Sequence, residues 1–143
     1  MKSSQNYQNH RRWVPAFHFV TLPLVIVLVI ASFVNLYRSV DSDPFSALLI
    51  CMGSLIMGSL YAYTRIFSLK VQSRVIRAEE NFRHYVLTGK PLDTRLRLSQ
   101  IIALRFAKDD EFVELAKKAV DEKLSNDAIK SLITDWRADY HRV

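Results

Sequence analysis

The hydrophobic pattern contains two long windows without a charged side chain. The first covers residues 13–37 and includes the segment LPLVIVLVIASFV, and the second covers residues 44–64. About 20 apolar residues, at 1.5 Å each in a helix, cross a hydrocarbon core of about 30 Å. Both windows are long enough, so the sequence predicts two membrane-spanning helices, at residues 14–37 and 45–64.

The second predicted span continues into a basic segment. The stretch SLYAYTRIFSLKVQSRVIR, residues 59–77, passes from apolar to basic residues without a proline or glycine. No proline follows Pro44 until after Gly89, so the sequence predicts a single helix in which residues 65–88 extend beyond the bilayer. A glycine at position 89 with a proline soon after it is typical of a helix end.

The predicted extension has a basic side and an apolar side. At about 100° per residue, Lys70, Arg74 and Arg77 share one side of the helix. The apolar side lies broadly opposite, and because lipid does not reach it, we expect a small helical bundle to cover it. Its apolar residues are Leu69, Val75, Ile76, Phe82 and Val86.

Residues 89–143 supply the other helices of this bundle. Residues 98–107, LSQIIALRFA, form one amphipathic segment, a second follows at 110–122 with Asp109 as its N-cap, and a third follows Ser125. The third segment is expected to carry Ile129, Leu132, Ile133 and Trp136. The predicted fold class is an all-α membrane protein, a two-span transmembrane hairpin whose second helix extends into a small cytoplasmic helical bundle.

The charges predict the orientation of the hairpin. Seven basic residues lie in segments 1–13 and 65–77, whereas the short loop at 38–44 contains one arginine and two aspartates. Basic residues near the ends of spans stay in the cytoplasm. We therefore expect residues 1–13, the extension 65–88 and the module 89–143 in the cytoplasm, with the loop on the other side.

Basic and aromatic residues near the cytoplasmic ends of the spans predict contact with anionic lipid headgroups. They are Arg11, Arg12, Trp13, Arg65 and Lys70. Two prolines leave the beginning of the first span open. Either the helix begins at Pro15 and kinks at Pro23, or residues 8–20 lie along the interface and Thr21 caps the span.

Small residues predict where the second span packs. Ser54, Gly58 and Ala62 recur every four residues and share one side of the helix. Small side chains let two helices approach closely in lipid. We expect this stripe to contact the first span of the same chain or a partner protein.

Few residues suggest chemistry. The four histidines include no pair at i,i+3 or i,i+4 spacing, and the single cysteine, Cys51, cannot complete a zinc site. The acids at 109–114 are explained by a helix start, where negative charge is favourable. The basic residues, which give the 143-residue chain a net charge of +6, are interleaved with aliphatic ones. The sequence therefore predicts no metal, cofactor or nucleic acid partner and no enzymatic activity.

Two clusters could bind a ligand or a partner. Residues 10–19, HRRWVPAFHF, group basic and aromatic side chains at the membrane surface, and a quinone or lipid held near Arg12 and His18 is the alternative function. The C-terminal residues 134–143, TDWRADYHRV, either pack on the bundle or dock a partner protein. The docking candidates are Trp136, Arg137, Asp139, Tyr140 and Arg142.

Four segments carry a resemblance to a known family. They are QNYQNHRRWVPAFHF, RIFSLKVQSRVIRAEE, SQIIALRFAKDDEF and LSNDAIKSLITDWRADYHRV. In sequence and order they resemble a family of bacterial membrane proteins, mainly from Bacteroidota, that is named only as domain of unknown function 6526. The resemblance implies the bacterial cytoplasmic (inner) membrane, so the loop at 38–44 would be periplasmic. It implies no activity, cofactor or catalytic residue.

The leading functional hypothesis is a non-enzymatic inner-membrane protein. Its two spans would anchor a helical cytoplasmic module, and the module would contact another protein. The contact would make the chain an accessory subunit of a membrane complex or a homo-oligomer, with membrane lipids around its spans.

Overall fold

The computed structural model describes residues 6–7 and 13–139, and its regular elements are helices. Within the described residues the one β-type pairing is an isolated antiparallel bridge between Ala107 and Trp136. The predicted all-α class is confirmed. The elements are a π-helical turn at Ala16–Thr21, α1 at Leu22–Arg38, α2 at Pro44–Thr88, α3 at Leu98–Leu104, α4 at Asp109–Asp121 and α5 at Asn126–Leu132.

The chain divides into two compact units. The first, called the apolar unit, is Trp13–Ser68 and contains the π-helical turn, α1 and the first part of α2. The second is described over residues 6–7 and 69–139. Its residues 69–139, called the helical module, contain the last part of α2 with α3, α4 and α5. α2 ends at Thr88, where Gly89 has a positive φ of 72° and its N–H donates to the Tyr85 carbonyl. The predicted glycine stop is confirmed.

A wide helical turn precedes α1, and Pro23 explains it. Proline lacks an N–H, and its ring would collide with the carbonyl four residues earlier in a regular α-helix. Here the helix widens, so that the N–H of Leu22 and the hydroxyl of Thr21 each donate five residues back, to Phe17 O and Ala16 O. The helix begins at Pro15, and Thr21 lies within it without capping it. Of the two predicted arrangements, the described residues adopt the one that begins at Pro15.

The apolar unit buries polar residues and exposes apolar ones. Ser32 of α1 and Ser54 of α2 are each 3% exposed, and Ala47 and Cys51 are buried as well. Both helices are long and apolar enough to span a membrane, yet only 6% and 17% of their most apolar windows are buried. This is the reverse of a water-soluble interior, which is apolar. The large side chains exposed along the two helices include Leu24, Val27, Ile30, Phe33, Leu49, Ile56 and Leu60.

Two hydroxyl groups join α1 to α2. The Oγ atoms of Ser32 and Ser54 lie 2.7 Å apart, and each also lies close to a carbonyl of its own helix, Val29 O at 2.7 Å and Cys51 O at 2.8 Å. Each hydroxyl carries one hydrogen, so only two of these three short contacts can be hydrogen bonds at one time. One serine donates to the other helix while the second donates to its own.

The contact between these helices follows a different spacing from the predicted stripe. Ser54 is buried and Gly58 lies beside Val25, but Ala62 is exposed. Tyr61 takes the place expected for Ala62. Two packed helices contact each other about every 3.5 residues, so residues spaced every four along α2 gradually turn away from the contact with α1. The inward positions of α2 accordingly alternate by four and three residues at Ala47, Cys51, Ser54, Gly58 and Tyr61.

Tyr61 fastens α2 to the π-helical turn. Its hydroxyl donates to Phe17 O at 2.8 Å, and its ring stacks on the Phe17 ring with centroids 4.3 Å apart. Phe17 O therefore accepts from Tyr61 as well as from the N–H of Leu22. An aromatic residue with a polar tip suits this place, since its ring packs against apolar groups while its hydroxyl finds an acceptor.

The helical module has a continuous apolar core. Phe106, Phe112, Leu104 and Ile129 are its largest fully buried side chains. Ser125 caps α5 as predicted, since its hydroxyl accepts from the N–H of Ala128 at 3.1 Å. The remaining core residues are Leu92, Leu96, Ile101, Ala103, Ala107, Leu115, Ala116, Ala119 and Ile133.

Three predicted helix boundaries in the module are wrong. α3 ends at Leu104, so residues 105–107 of the predicted segment 98–107 lie outside it. α4 begins at Asp109 with Lys108 at the N-cap, so Asp109 is the first helical residue and not the cap. α5 ends at Leu132, so Ile133 and Trp136 do not continue it. The carboxylate of Glu111 explains the third difference, because it accepts from the N–H groups of residues 134 and 135 and draws the chain out of the helix.

Gln100 joins α3 to the end of α4. Its side chain is buried, and its amide nitrogen donates to Ala119 O at 3.1 Å and to Leu124 O at 2.8 Å. Its amide oxygen accepts from the N–H of Arg97 at 2.8 Å. The last carbonyls of a helix lack partners within the helix. One side chain thus satisfies the end of α4 and the start of α3 together.

The predicted covered face of α2 is largely wrong. Ile76 is buried, but Leu69, Val75, Phe82 and Val86 are exposed. The covered face instead passes through Ile76 and Glu80 and includes the half-buried Arg83 and His84. Hydrophobicity alone could not predict this face, because charged side chains make its main contacts with the rest of the module.

The serine contact generates a measurable expectation. In a double-mutant cycle with Ser32→Ala and Ser54→Ala, we expect a coupling free energy of about 0.6 kcal/mol, and at most about 1.7 kcal/mol, the range measured for hydrogen bonds between helices in membranes. The measurement is unfolding of the protein in lipid–detergent mixtures. The same cycle with Ser59→Ala in place of Ser54→Ala should show no coupling, because the Ser59 hydroxyl donates only to Leu55 O of its own helix. Equal coupling in both cycles would contradict the assignment.

Candidate interaction site on the helical module

Arg83 is the most connected side chain between α2 and the rest of the module. Its Nε donates to Asp109 at 2.6 Å, its Nη1 to Glu80 at 3.0 Å and its Nη2 to Ala107 O at 2.8 Å. The guanidinium also lies 4.3 Å from the centre of the Phe112 ring. A planar guanidinium suits this arrangement, because it directs several donors in fixed directions and stacks on aromatic faces.

Glu80 is a buried acid whose charge is compensated by arginines. Its side chain is 7% exposed, and removing a carboxylate from water costs several kcal/mol unless charged partners replace the water. Arg83 provides one partner, and the guanidinium of Arg137 lies 3.9 Å from the other carboxylate oxygen. Glu80 therefore connects α2 to the segment that follows α5.

These groups line a charged groove of about 710 Å³ in the helical module. On its far side Arg105 forms an ion pair with Asp139 at 3.4 Å and lies 4.6 Å from the centre of the Phe106 ring. The arginines of the groove are matched by neighbouring carboxylates, so its walls are held by ion pairs. The residues that line the charged groove are Ile76, Glu79, Glu80, Arg83, Arg105, Asp109, Arg137, Ala138 and Asp139.

The segment after α5 is attached to α3 and α4. Trp136 forms the bridge with Ala107, its ring centre lies 5.0 Å from that of Phe106, and the N–H of Arg137 donates to Phe106 O at 2.7 Å. Lys108 and Asp135 add an ion pair at 2.5 Å, and this hydrogen bond raises the pKa of Lys108.

The predicted docking motif is thus packed on the module where the structure describes it. Trp136 and Asp139 are half-buried, while the Arg137 side chain remains 55% exposed. Tyr140 and Arg142 lie outside the described residues. Docking of a partner through this motif stays a prediction.

The predicted lipid-interface residues differ in how exposed they are and in what they contact. Trp13 is exposed and contacts the ring of His18 at 5.1 Å. Arg65 is half-buried, with its guanidinium 5.9 Å from the centre of the Phe17 ring, and Lys70 is exposed. Arg11 and Arg12 lie outside the described residues, and lipid contact by this set stays a prediction.

The His18 side chain contacts the backbone of Val14, just before the start of its own helix. Its Nδ1 lies 3.0 Å from Val14 O and 3.3 Å from Val14 N. The predicted neighbour in the ligand hypothesis, Arg12, is outside the described residues. A quinone or lipid at this place stays a prediction.

The sequence did not predict that several residues, Glu80, Arg83 and Arg105 among them, would form the charged groove. Glu80 and Arg83 stand three residues apart on one side of a helix, a spacing at which opposite charges attract, and this was the available signal. No sequence signal connected Arg105 to Asp139, because a long-range ion pair depends on how the segment after α5 folds back.

No group of three or more histidine, cysteine, aspartate or glutamate side chains suited to a metal ion occurs in the part of the chain that the structure describes.

The fold and this site define an all-helical protein with two helices long and apolar enough to span a membrane and a module held together by ion pairs. Residues 1–143 match the family of unknown function DUF6526, and the chain belongs to that family. Comparison with curated proteins and with solved structures gave no significant match.

The connections of Arg83 predict a large effect on stability. Arg83→Ala should lower the free energy of unfolding of the module by about 3 kcal/mol, because it leaves the carboxylate of Glu80 buried with a weaker partner. Thermal unfolding of the whole protein in detergent, followed by circular dichroism, measures this.

Arg95→Ala is the matched control. Arg95 forms an exposed pair with Asp93, which lowers the pKa of Asp93 to about 2. Exposed pairs contribute little to stability, so this variant should unfold like the parent protein. If the two variants were equally stable, Arg83 would not hold the module together.

Proposed function

We propose that this chain is a membrane protein whose two apolar helices form a transmembrane hairpin, which anchors the helical module at the cytoplasmic face of the bacterial inner membrane. The module acts by contacting other proteins and carries out no reaction of its own. The observation that carries this proposal is the reversed polarity of the apolar unit, with serines inside and large apolar side chains outside.

Reversed polarity is stable in lipid and unstable in water. Leaving a Leu, Ile or Phe side chain in water, when it could be buried, forgoes about 1.5–3 kcal/mol. The same side chains cost nothing against acyl chains, whereas the hydroxyls of Ser32 and Ser54 need partners there and find them in each other. Helices also satisfy their backbone groups internally, as a hydrocarbon environment requires.

The distribution of charge supports the orientation. Lys2, Arg11 and Arg12 precede α1, and a basic stretch from Arg65 onward follows the apolar part of α2, whereas the loop between the helices contains two aspartates and one arginine. The positive-inside tendency then favours both termini in the cytoplasm.

The charged groove supports contact with proteins. Its carboxylates and guanidinium groups are engaged with one another, as in a scaffold, and the exposed face of Arg137 lies at its edge. An arginine presented beside packed aromatic residues is a common composition for a protein interface.

Membrane extraction and labelling of single cysteines test the proposal. In a Cys51→Ser background, Ser42→Cys lies in the loop between α1 and α2, and Glu122→Cys lies at the end of α4. A membrane-impermeant maleimide should label Ser42→Cys in intact cells and Glu122→Cys only after the inner membrane is opened, and the Cys51→Ser protein should stay unlabelled. Resistance to extraction by alkaline carbonate should accompany both. Release of the protein by carbonate would overturn membrane insertion, and labelling of Glu122→Cys in intact cells would overturn the orientation.

A further inference from the structure

A row of exposed apolar residues lies on the part of α2 that belongs to the helical module. Its most exposed members are Val71 at 62%, Phe82 at 68% and Tyr85 at 55%, with Val75 at 49%. The described residues of the module pack on Ile76 and Glu80 and leave the row exposed, although Ala78 also lines one edge of a groove beside Pro91 and Leu96. The row, called the exposed stripe, consists of Val71, Val75, Ala78, Phe82 and Tyr85.

The exposed stripe does not suit a lipid environment. Arg74, Arg77, Glu79, Glu80 and Arg83 all fall within its length. Ionised groups at this density are too costly in a hydrocarbon core. An apolar row flanked by charges on a helix is instead typical of a surface that another protein covers.

We propose that the exposed stripe pairs with the same stripe of a second copy of this chain, as a short parallel coiled coil. Its members are separated by four, three, four and three residues, which is the spacing of the apolar positions of a heptad repeat. In that repeat Val75 and Phe82 occupy the a positions, and Val71, Ala78 and Tyr85 occupy the d positions.

The charges beside the stripe make it complementary to itself. Arg74 precedes an a position and Glu79 follows a d position, so they are g and e residues five positions apart. In a parallel pair in register, a g residue faces the e residue five positions later on the partner, so Arg74 of each copy faces Glu79 of the other. Both side chains are exposed, and neither forms an ion pair with a described residue. An antiparallel pair would place g positions beside g positions and e positions beside e positions, so Arg74 would not face Glu79.

The parallel arrangement rests on the proposed function. Two copies inserted in the same orientation carry their α2 helices in the same direction. A coiled coil of about two heptads is weak in solution, but confinement to one membrane raises the effective concentration of one copy around another. The partner class is therefore a second copy, since the stripe carries both halves of the charge complementarity that it needs.

Disulfide formation between neighbouring positions tests the pairing. In a Cys51→Ser background, Ala78→Cys places a thiol in the exposed stripe with little change of volume, and the matched control Arg77→Cys places one on the next residue, about 100° around the helix. Mild oxidation of membranes should convert Ala78→Cys to a disulfide-linked dimer at least about tenfold faster than Arg77→Cys, because only position 78 faces its own counterpart. Equal rates at the two positions, or linkage of Ala78→Cys to a protein of another mass, would overturn the proposal.

Charge reversal tests the register. In the Ala78→Cys protein, Arg74→Glu alone or Glu79→Arg alone should weaken association about tenfold, since two symmetric pairs change from attraction to repulsion. The double variant Arg74→Glu, Glu79→Arg should restore it. Failure of the double variant to restore dimer formation would exclude the parallel register.

Carbonate extraction of the same samples separates this inference from the proposed function. A protein that stays in the membrane and yields no Ala78→Cys dimer refutes the coiled coil and leaves the anchor intact. A protein that is released by carbonate refutes the anchor, whatever its disulfide yield.

Discussion

The attachment of α2 to the rest of the helical module depends on the guanidinium of Arg83. It meets two carboxylates, a backbone carbonyl and the face of Phe112, which is more than any other described side chain on this helix does. Glu80 can be buried only because Arg83 and Arg137 neutralise it. The segment after α5 is in turn held over the groove that these residues form, so the C-terminal packing follows from the same contact.

The apolar unit is organised by the opposite use of polarity. Its few inward polar groups, Ser32 and Ser54, bond to each other, while its large apolar side chains face outward. The helical module instead has an apolar core with charges around it. The two units of this chain therefore distribute apolar and polar side chains in opposite ways, and the proposed membrane anchor rests on this contrast.

Much of the secondary structure could be predicted because it depends on local chemistry. The length of α2 follows from the lack of proline between Pro44 and Gly89, and the start of α5 follows from the cap at Ser125. The packing faces could not be predicted in the same way. Phe82 is the most apolar of the residues near this position, yet Glu80 is the one that is buried, because Arg83 of the same helix and Arg137 of the segment after α5 compensate its charge. The end of α5 was also beyond local rules, since a carboxylate of α4, that of Glu111, redirects the chain.

The widened turn before α1 links two positions that are far apart in the chain. A π-helical turn acts as a one-residue insertion, so its loss would rotate the residues at its start, and those before it, by about 100° around the helix axis relative to α1. Phe17 would then turn away from Tyr61, and the tyrosine hydroxyl would lose its acceptor within the apolar unit. Pro23 and Tyr61 therefore act together: the proline favours the wide turn that presents Phe17 O, and the tyrosine hydroxyl donates to that oxygen.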